Sequence, residues 1–373
     1  MKLIYLANIR IPTQRAHGYP IMKMCEEFAR QGLAVELVVP NKKNYLGEEV
    51  FAYYGLERNF NITRLPSFDL LGKMAFASRF FFWLDLMLFY LVFRRRDYLR
   101  SANKIYTRDY FLAALLPGKR CDIFLELHDL PKAGFWLKRA AKKARKIFVI
   151  SQGLKDDLMA LGLPGDKIII VPDAVDLEKF SPEISQAEAR EKVALPTDKK
   201  IVMYAGHLYN WKGADVLAAA AENLCDFLLV FVGGVDPELK EFNRQYGTVD
   251  NIKIIPWQKR EKVPFYLRAA DVLVLPNKNG DRISERYTSP VKLFEYMASG
   301  RPIVASDLPS IREILNADNA VLVKSNDPEA LAEGIKKVLQ DKNLGDRLLG
   351  QAFADVQKYT WRKRAGEIMK FIL

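Results

Sequence analysis

Cysteine and histidine are both scarce in this chain, with three of each among 373 residues. Cys25, Cys121 and Cys225 stand far apart in apolar surroundings. That excludes a disulfide framework and a clustered-cysteine metal site, and fits a reducing compartment. No Asp-x-Asp pair occurs, so the carboxylates that usually hold a Mg²⁺ or Mn²⁺ ion across phosphates are lacking. Long apolar runs are missing too. The most apolar stretch, residues 80–93, is short and broken by Asp85, which argues for a helix packed on a sheet rather than a transmembrane span. Residues 1–7 are too short an apolar run for a signal peptide and Arg10 follows closely, so a buried first strand and no export are expected. Low-complexity tracts and short repeats are absent. Acidic residues fall short of basic ones, 45 against 57, for a net charge of +12. Such an excess favours polyanions: phosphorylated substrates, acidic membrane or nucleic acid.

Apolar content is 50%, and a chain of this length can bury more than one core. Short Val/Ile/Leu-rich runs alternate with helix-period segments throughout. Strands are expected at 2–7, 34–39, 105–106, 122–126, 146–150 and 167–171, then at 200–205, 227–232, 252–256, 272–275, 302–305 and 320–323. Near-continuous apolar runs indicate strands buried on both faces of a parallel sheet, with helices as right-handed crossovers. The pattern restarts after the polar stretch 181–199. The expectation is two α/β domains, 1–180 and 181–357, followed by a terminal amphipathic helix at 358–373.

Each histidine falls just after an expected strand: His17 before Gly18, His128 after Leu127, His207 after Gly206. In parallel sheets the carboxyl ends of the strands form the ligand-binding edge, so three histidines there are more than satisfied surface residues. The run from Arg286 to Pro302 opens a helix with Ser289 as expected N-cap and Pro290 as first residue, and Gly300 and Pro302 stop it. Backbone N–H groups at its start, with the helix dipole, suit a phosphate. Glu295 stands one and a half turns in, where it could accept hydrogen bonds from a ribose diol. A second anion site is expected at Gly206 through Gly213, which opens the second domain's first helix, with Lys212 as its cation. Gly233 and Gly234 let backbone approach a ligand closely. Neither segment is a GxGxxG or P-loop motif.

Together these segments resemble glycosyltransferase family 4, retaining enzymes of the GT-B fold. The resemblance rests on Tyr204 through Gly206 with Lys212 and Gly213, on Val171 through Phe180, on Ala270 through Pro276, on Leu127-His128-Asp129, and on Pro290 through Pro302. It runs in order over nearly the whole chain and is strongest in the second half. It implies an α/β, GT-B architecture: two Rossmann-like domains with parallel sheets facing a central cleft, an acceptor-binding first domain, a donor-binding second domain, and a last helix crossing back. It implies that Glu295 binds the nucleotide ribose, that Lys212 meets the diphosphate, and that His128 contacts the transferred sugar. His17 and Gly18 fall in the acceptor-side loop. Gly206, Gly234, Tyr287, Thr288, Ser289, Pro290 and Val291 complete the donor-binding set, with His128, Lys212 and His207 as the catalytic candidates. Two positions depart from the family pattern: Tyr287 stands where the first glutamate of the paired-glutamate motif belongs, with Glu285 two positions early, and His207 stands where an arginine usually accompanies the lysine.

The chemistry implied is hexosyl transfer with retention from a nucleotide-diphosphate sugar to a glycan or lipid-linked acceptor, with no metal and no cofactor. A sugar-nucleotide epimerase on the same fold would be expected to carry extra carboxylates for proton abstraction, and no obvious set is present. A catalytically weak sugar-nucleotide-binding subunit is the reading that Tyr287 and His207 motivate. Nucleic-acid binding lacks any accompanying recognition motif. The basic run 138–146, after Phe135 and Trp136, reads as an interfacial amphipathic helix that presents Lys138, Arg139, Lys142 and Lys143 to anionic lipid. The alternative for it is a solvated charged face. A cytoplasmic protein, peripheral on the inner membrane face, is the resulting expectation.

Overall fold

The computed structural model describes residues 1–43, 46–67, 78–95, 104–118, 120–132, 134–181 and 183–373. Arg96, last of the arginines after the apolar stretch, lies outside them. The chain forms two compact units. One comprises Met1–Ile150, Leu154–Val171 and Trp361–Leu373, the other Ser151–Gly153 and Pro172–Thr360.

The first unit is built on a seven-stranded sheet: β1 (Lys2–Leu6), β2 (Ala34–Pro40), β3 (Asn61–Leu65), β4 (Lys104–Thr107), β5 (Asp122–Leu127), β6 (Ala144–Val149) and β7 (Ile168–Ile170). Their order is β3-β2-β1-β4-β5-β6-β7, and every pairing is parallel. The edge strand β3 is not among the strands expected from sequence. Its residues, Asn-Ile-Thr-Arg-Leu, are exposed or half-exposed except Leu65 and mostly polar, so they lack the apolar run that marks the buried strands. The helix Ser78–Arg95 packs on the unit through Leu86, Phe89 and Phe93, and its Asp85 is buried in a 2.6 Å ion pair with Lys42. Among the described residues no helix is long and apolar enough to cross a membrane.

The basic run 138–146 is not one helix. The helix Gly134–Lys143 ends there, and Arg145 and Lys146 lie in β6, whose Ile147, Phe148 and Val149 pair with β5. Within the helix, Arg139 donates to the carbonyl of Ala114 at 3.0 Å, and Lys143 donates to those of Ala114 and Leu116 at 2.6 and 2.5 Å. These two cations cap the carboxyl end of the neighbouring helix Tyr110–Leu115. The terminal helix Trp361–Ile372 belongs to the first unit: Trp361 meets the Tyr19 ring edge-on at 6.2 Å, and Gln31 donates to the Arg362 carbonyl.

The second unit holds β8 (Lys200–Ala205), β9 (Phe227–Val232), β10 (Ile252–Ile255), β11 (Val272–Leu275), β12 (Ile303–Ser306) and β13 (Val321–Val323), again all parallel, in the order β10-β9-β8-β11-β12-β13. Apolar side chains on both faces feed two cores, one around Leu273, Phe294 and Met297, the other around Val202, Leu229 and Ile335. Near the two ends of its long segment Pro172–Thr360 the chain runs side by side, with Val175 N–H donating to the Tyr359 carbonyl at 2.9 Å. Each sheet reverses its strand order once, between β1 and β4 and between β8 and β11. Open α/β sheets take their ligands at such reversals.

Candidate functional site

In the second unit, the loop after β8 and the loop after β11 meet at the reversal. Gly213 takes a left-handed φ of +71°, and a Cβ on it would sit 1.8 Å from the Pro276 carbonyl oxygen, so only glycine allows this approach. Gly233, at φ +124°, packs so closely on Gly206 that a Cβ would meet its carbonyl oxygen at 2.4 Å. Lys278 fastens the loops further, its N–H on the Trp211 carbonyl and its ammonium on Asp215 and Asn210. The Tyr296 hydroxyl accepts from Ala205 N–H at 2.7 Å, which holds the helix Val291–Ala298 to the end of β8.

Three basic side chains converge on this junction. The Lys212 ammonium lies 5.4 Å from the Tyr209 ring centroid and 5.2 Å from that of Trp211, with no carboxylate partner among the described residues. Burial lowers its pKa to about 8. His207 stacks on Tyr209 at 5.2 Å, and its Nδ1 is buried without a hydrogen-bond partner. Burial first, then the charges of Lys212 and Lys292 against the opposing pull of Glu238, brings its pKa to about 4, so the ring is neutral at pH 7. Lys292 is 9% exposed, and its ammonium lies 4.1 Å from the Tyr204 ring centroid. Burial and the charge of Lys212 push its pKa well below the ordinary lysine value, with Glu295 acting the other way.

Ser289 does not cap the helix. Its hydroxyl accepts from Asp173 N–H at 3.2 Å, Pro290 occupies the N-cap position, and no side chain caps the first turn. The helix start is therefore open to another acceptor, which Ser289 as a cap would have supplied itself. Tyr287, buried, ends a π-helical turn at Ile283–Tyr287, and Thr288 follows it, also buried. Glu285 accepts from Gly280 N–H at 2.5 Å, so it is occupied in its own loop. Glu295, 6% exposed, takes the Arg260 guanidinium on Oε1 at 2.6 Å. Gly234 packs under the loop, where a Cβ would meet Leu208 at 2.7 Å.

In the first unit, His128 places Nε2 2.6 Å from Glu126 Oε1. The buried Glu126 also takes Arg108 at 2.9 Å, Arg364 at 2.7 Å and the Tyr106 hydroxyl at 2.5 Å. Burial alone would raise its pKa, but Arg108, Arg364 and His128 outweigh burial and hold it well below the usual carboxylate range. His17 and Gly18 begin the helix Gly18–Arg30, where a Cβ on Gly18 would meet the Tyr54 hydroxyl at 2.3 Å. Burial and the charges of Arg108, Arg15 and His128 bring His17 to about 4. The charged partners Arg108, Glu126, Arg260, Lys292 and Arg364 were not singled out from sequence. Lys292 sat within the quoted run from Arg286 to Pro302 but was given no role. The others gave no local signal.

Known proteins are similar to this chain. Two family models match: Glycosyl transferases group 1 over residues 185–353, and Glycosyltransferase Family 4 over residues 21–179. The chain belongs to the family 4, group 1 glycosyltransferases. It is similar to D-inositol 3-phosphate glycosyltransferase of Xylanimonas cellulosilytica, 32% identical over 228 residues, 57% of this chain and 53% of that protein. An uncharacterized glycosyltransferase of Methanocaldococcus jannaschii is 24% identical over 233 residues, 60% of this chain and 58% of its own. The chain thus spans about half the length of the curated relatives it matches. Among solved structures, sucrose-phosphate synthase of Thermosynechococcus elongatus superposes with a TM-score of 0.78 at 18% identity, covering all of this chain and 98% of that one. Anabaena HepE in complex with UDP gives 0.75 at 15%, covering 100% and 99%. The fold is GT-B.

Proposed function

We propose that the protein is a retaining, metal-independent hexosyltransferase that moves a sugar from a nucleoside-diphosphate sugar to a glycan or lipid-linked acceptor. The observation that carries this is Lys212, without a carboxylate partner among the described residues, beside an uncapped helix start at the β8/β11 reversal. In this reading Gly206 and Gly234 admit the diphosphate, and the helix start from Tyr287, Thr288 and Ser289 through Pro290 and Val291 lies along it. Glu295 keeps Oε2 for the ribose while Oε1 holds Arg260. As the bond from anomeric carbon to phosphate oxygen breaks, charge gathers on the leaving diphosphate, and Lys212 and backbone amides stabilise it. His207, neutral, contributes shape and a hydrogen bond rather than charge. His128, steadied by Glu126, offers Nδ1 to the transferred sugar, and His17 and Gly18 serve the acceptor side. HepE was solved with UDP, which makes UDP-sugars the first donors to try. The test is proton NMR of a donor and simple sugar acceptors with EDTA present: a product with the donor's anomeric configuration supports the reading, and inversion or a need for added metal contradicts it.

The acceptor half includes a lipid surface on the cytoplasmic face of a membrane. Its support is an exposed apolar stripe on the helix Ser78–Arg95, Leu84, Met87 and Leu91, together with Phe135, 71% exposed. Trp83 and Trp136, 5.6 Å apart, join that helix to Gly134–Lys143, where Lys138 and Lys142 are exposed. Arg139 and Lys143, tied to carbonyls, play a smaller part than the sequence suggests.

A further inference from the structure

We propose that Lys292 is a second cationic ligand of the donor's diphosphate, beside Lys212. This rests on the donor-site reading above and adds to it a residue that supplies the charge His207 does not.

The side chain is out of keeping with its place in the fold. Its helix is buried nearly all round, with Leu293, Phe294, Tyr296 and Met297 in the core and Glu295 the only other charged side chain among its buried residues. Methionine or leucine would fill the position without cost, whereas an ammonium taken out of water without an anion is penalised. The Lys292 Nζ is buried and has no hydrogen-bond partner. Its contact with the Tyr204 ring offsets part of that penalty but provides no counter-charge. Glu295, the nearby carboxylate, already holds Arg260 at 2.6 Å. A departure from packing logic of this kind marks a functional position more often than a structural one.

The position of the ammonium identifies what it awaits. A Cβ built on Gly206 would lie 3.8 Å from Nζ, so the charge rests against the backbone of the loop that opens the anion site. Lys212 and Lys292 repel one another across this space, and both bear on His207. Lys292 is the second residue of the uncapped helix, so the helix dipole adds to the same positive field. Two lysines that disfavour each other's charge, a helix start and a neutral histidine make a site that lacks an anion. A diphosphate supplies that, and a nucleoside without phosphate does not.

The experiment compares wild type with Lys292→Met, which keeps the length and removes the charge. Calorimetry is run with UDP, GDP, dTDP and ADP, with the nucleoside of whichever binds, and with inorganic pyrophosphate; thermal melting of the ligand-free proteins accompanies it. Lys292→Met is expected to weaken the nucleoside diphosphate and pyrophosphate by about 10–100-fold, the range for a charge-assisted hydrogen bond. The nucleoside should bind within about twofold of wild type, and the ligand-free variant should melt at or above it, because a buried polar group without a hydrogen-bond partner is gone. Diphosphate affinity unchanged by the substitution overturns the proposal while leaving the donor site standing. A variant that melts well below wild type also overturns it, since the lysine then serves the fold. A wild type that binds none of the four nucleotides overturns the donor-site reading and this inference with it.

Discussion

Glu295 takes the Arg260 guanidinium on one carboxylate oxygen, Oε1, at 2.6 Å, and the same guanidinium lies 5.1 Å from the Phe180 ring centroid. The carboxylate is thus fixed before any ligand arrives, by a pair that leaves Oε2 outside the Arg260 contact. If Oε2 takes a ribose diol, Glu295→Gln should weaken nucleoside and nucleoside diphosphate alike, by about 1.5–3 kcal/mol, the range for a hydrogen bond to a charged group. Inorganic pyrophosphate should be unaffected. Calorimetry separates the three ligands; equal nucleoside affinity in a folded variant removes Glu295 from ribose binding.

Lys212 predicts a pH dependence with a definite sign. Its pKa in the fold is about 8, against 10.5 for an ordinary lysine. Between those values the unfolded chain holds the extra proton, so Lys212 makes the free protein more stable as pH rises through that window. Diphosphate binding runs the other way, because it needs the charged form. Affinity should hold below pH 8 and fall above it by up to about tenfold per unit. His207 and Lys292 face the same space: His207 is neutral from about 4 upward, and Lys292, also held below the ordinary lysine value, is unchanged in Lys212→Ala, so the comparison of wild type with that variant isolates the part due to Lys212. In Lys212→Ala the fall at pH 8 should vanish, and turnover should drop by roughly 10²–10³.

The carboxylate of Glu126 anchors Arg108, Arg364 and His128 at once. Glu126→Gln keeps the shape and removes the charge they share, which should cost about 3–5 kcal/mol in urea unfolding, as for one partner of a buried ion pair. Its pKa is depressed in the fold, so the stability it confers is fully present above the ordinary value of 4.5 and is lost as pH falls below that. Wild type should therefore lose stability on acidification more steeply than the variant; parallel acid profiles would contradict this.

For the lipid surface, Lys138 and Lys142 are exposed, whereas Arg139 and Lys143 are tied to carbonyls. Lys138→Glu with Lys142→Glu should release the protein from anionic vesicles, since each basic residue near such a surface is worth about 1 kcal/mol. The wild type should also lose binding as salt rises. Equal sedimentation of variant and wild type with anionic vesicles would remove this helix from the account.

The sheets were legible because their strands are buried on both faces: the runs at 200–205, 227–232 and 272–275 coincide with β8, β9 and β11. β3 escaped because an edge strand needs no apolar run. Ser289 looked like a cap because Ser-Pro before a helix normally is one, and only the fold brings Asp173, 116 residues away, to claim the hydroxyl. The basic run 138–146 read as one helix because lysine and arginine suit helices, while the partner strand that converts its end into β6 lies upstream. Charge pairing was the least legible: Arg364 reaches Glu126 across 238 residues of sequence. Lys292 was hidden for a different reason, since a lysine in a helix is ordinarily solvated, and only its burial beneath Gly206 and Tyr204 shows otherwise.

The central claim is that the reversal between β8 and β11 holds a nucleoside diphosphate by its own cations. Calorimetric titration of wild type and Lys212→Ala with UDP, GDP, dTDP and ADP, in EDTA at pH 7, tests it most directly. The account predicts one site per chain for at least one of the four in wild type, and a loss of about tenfold or more in Lys212→Ala. No binding by wild type without added metal, or binding that Lys212→Ala leaves untouched, would contradict it.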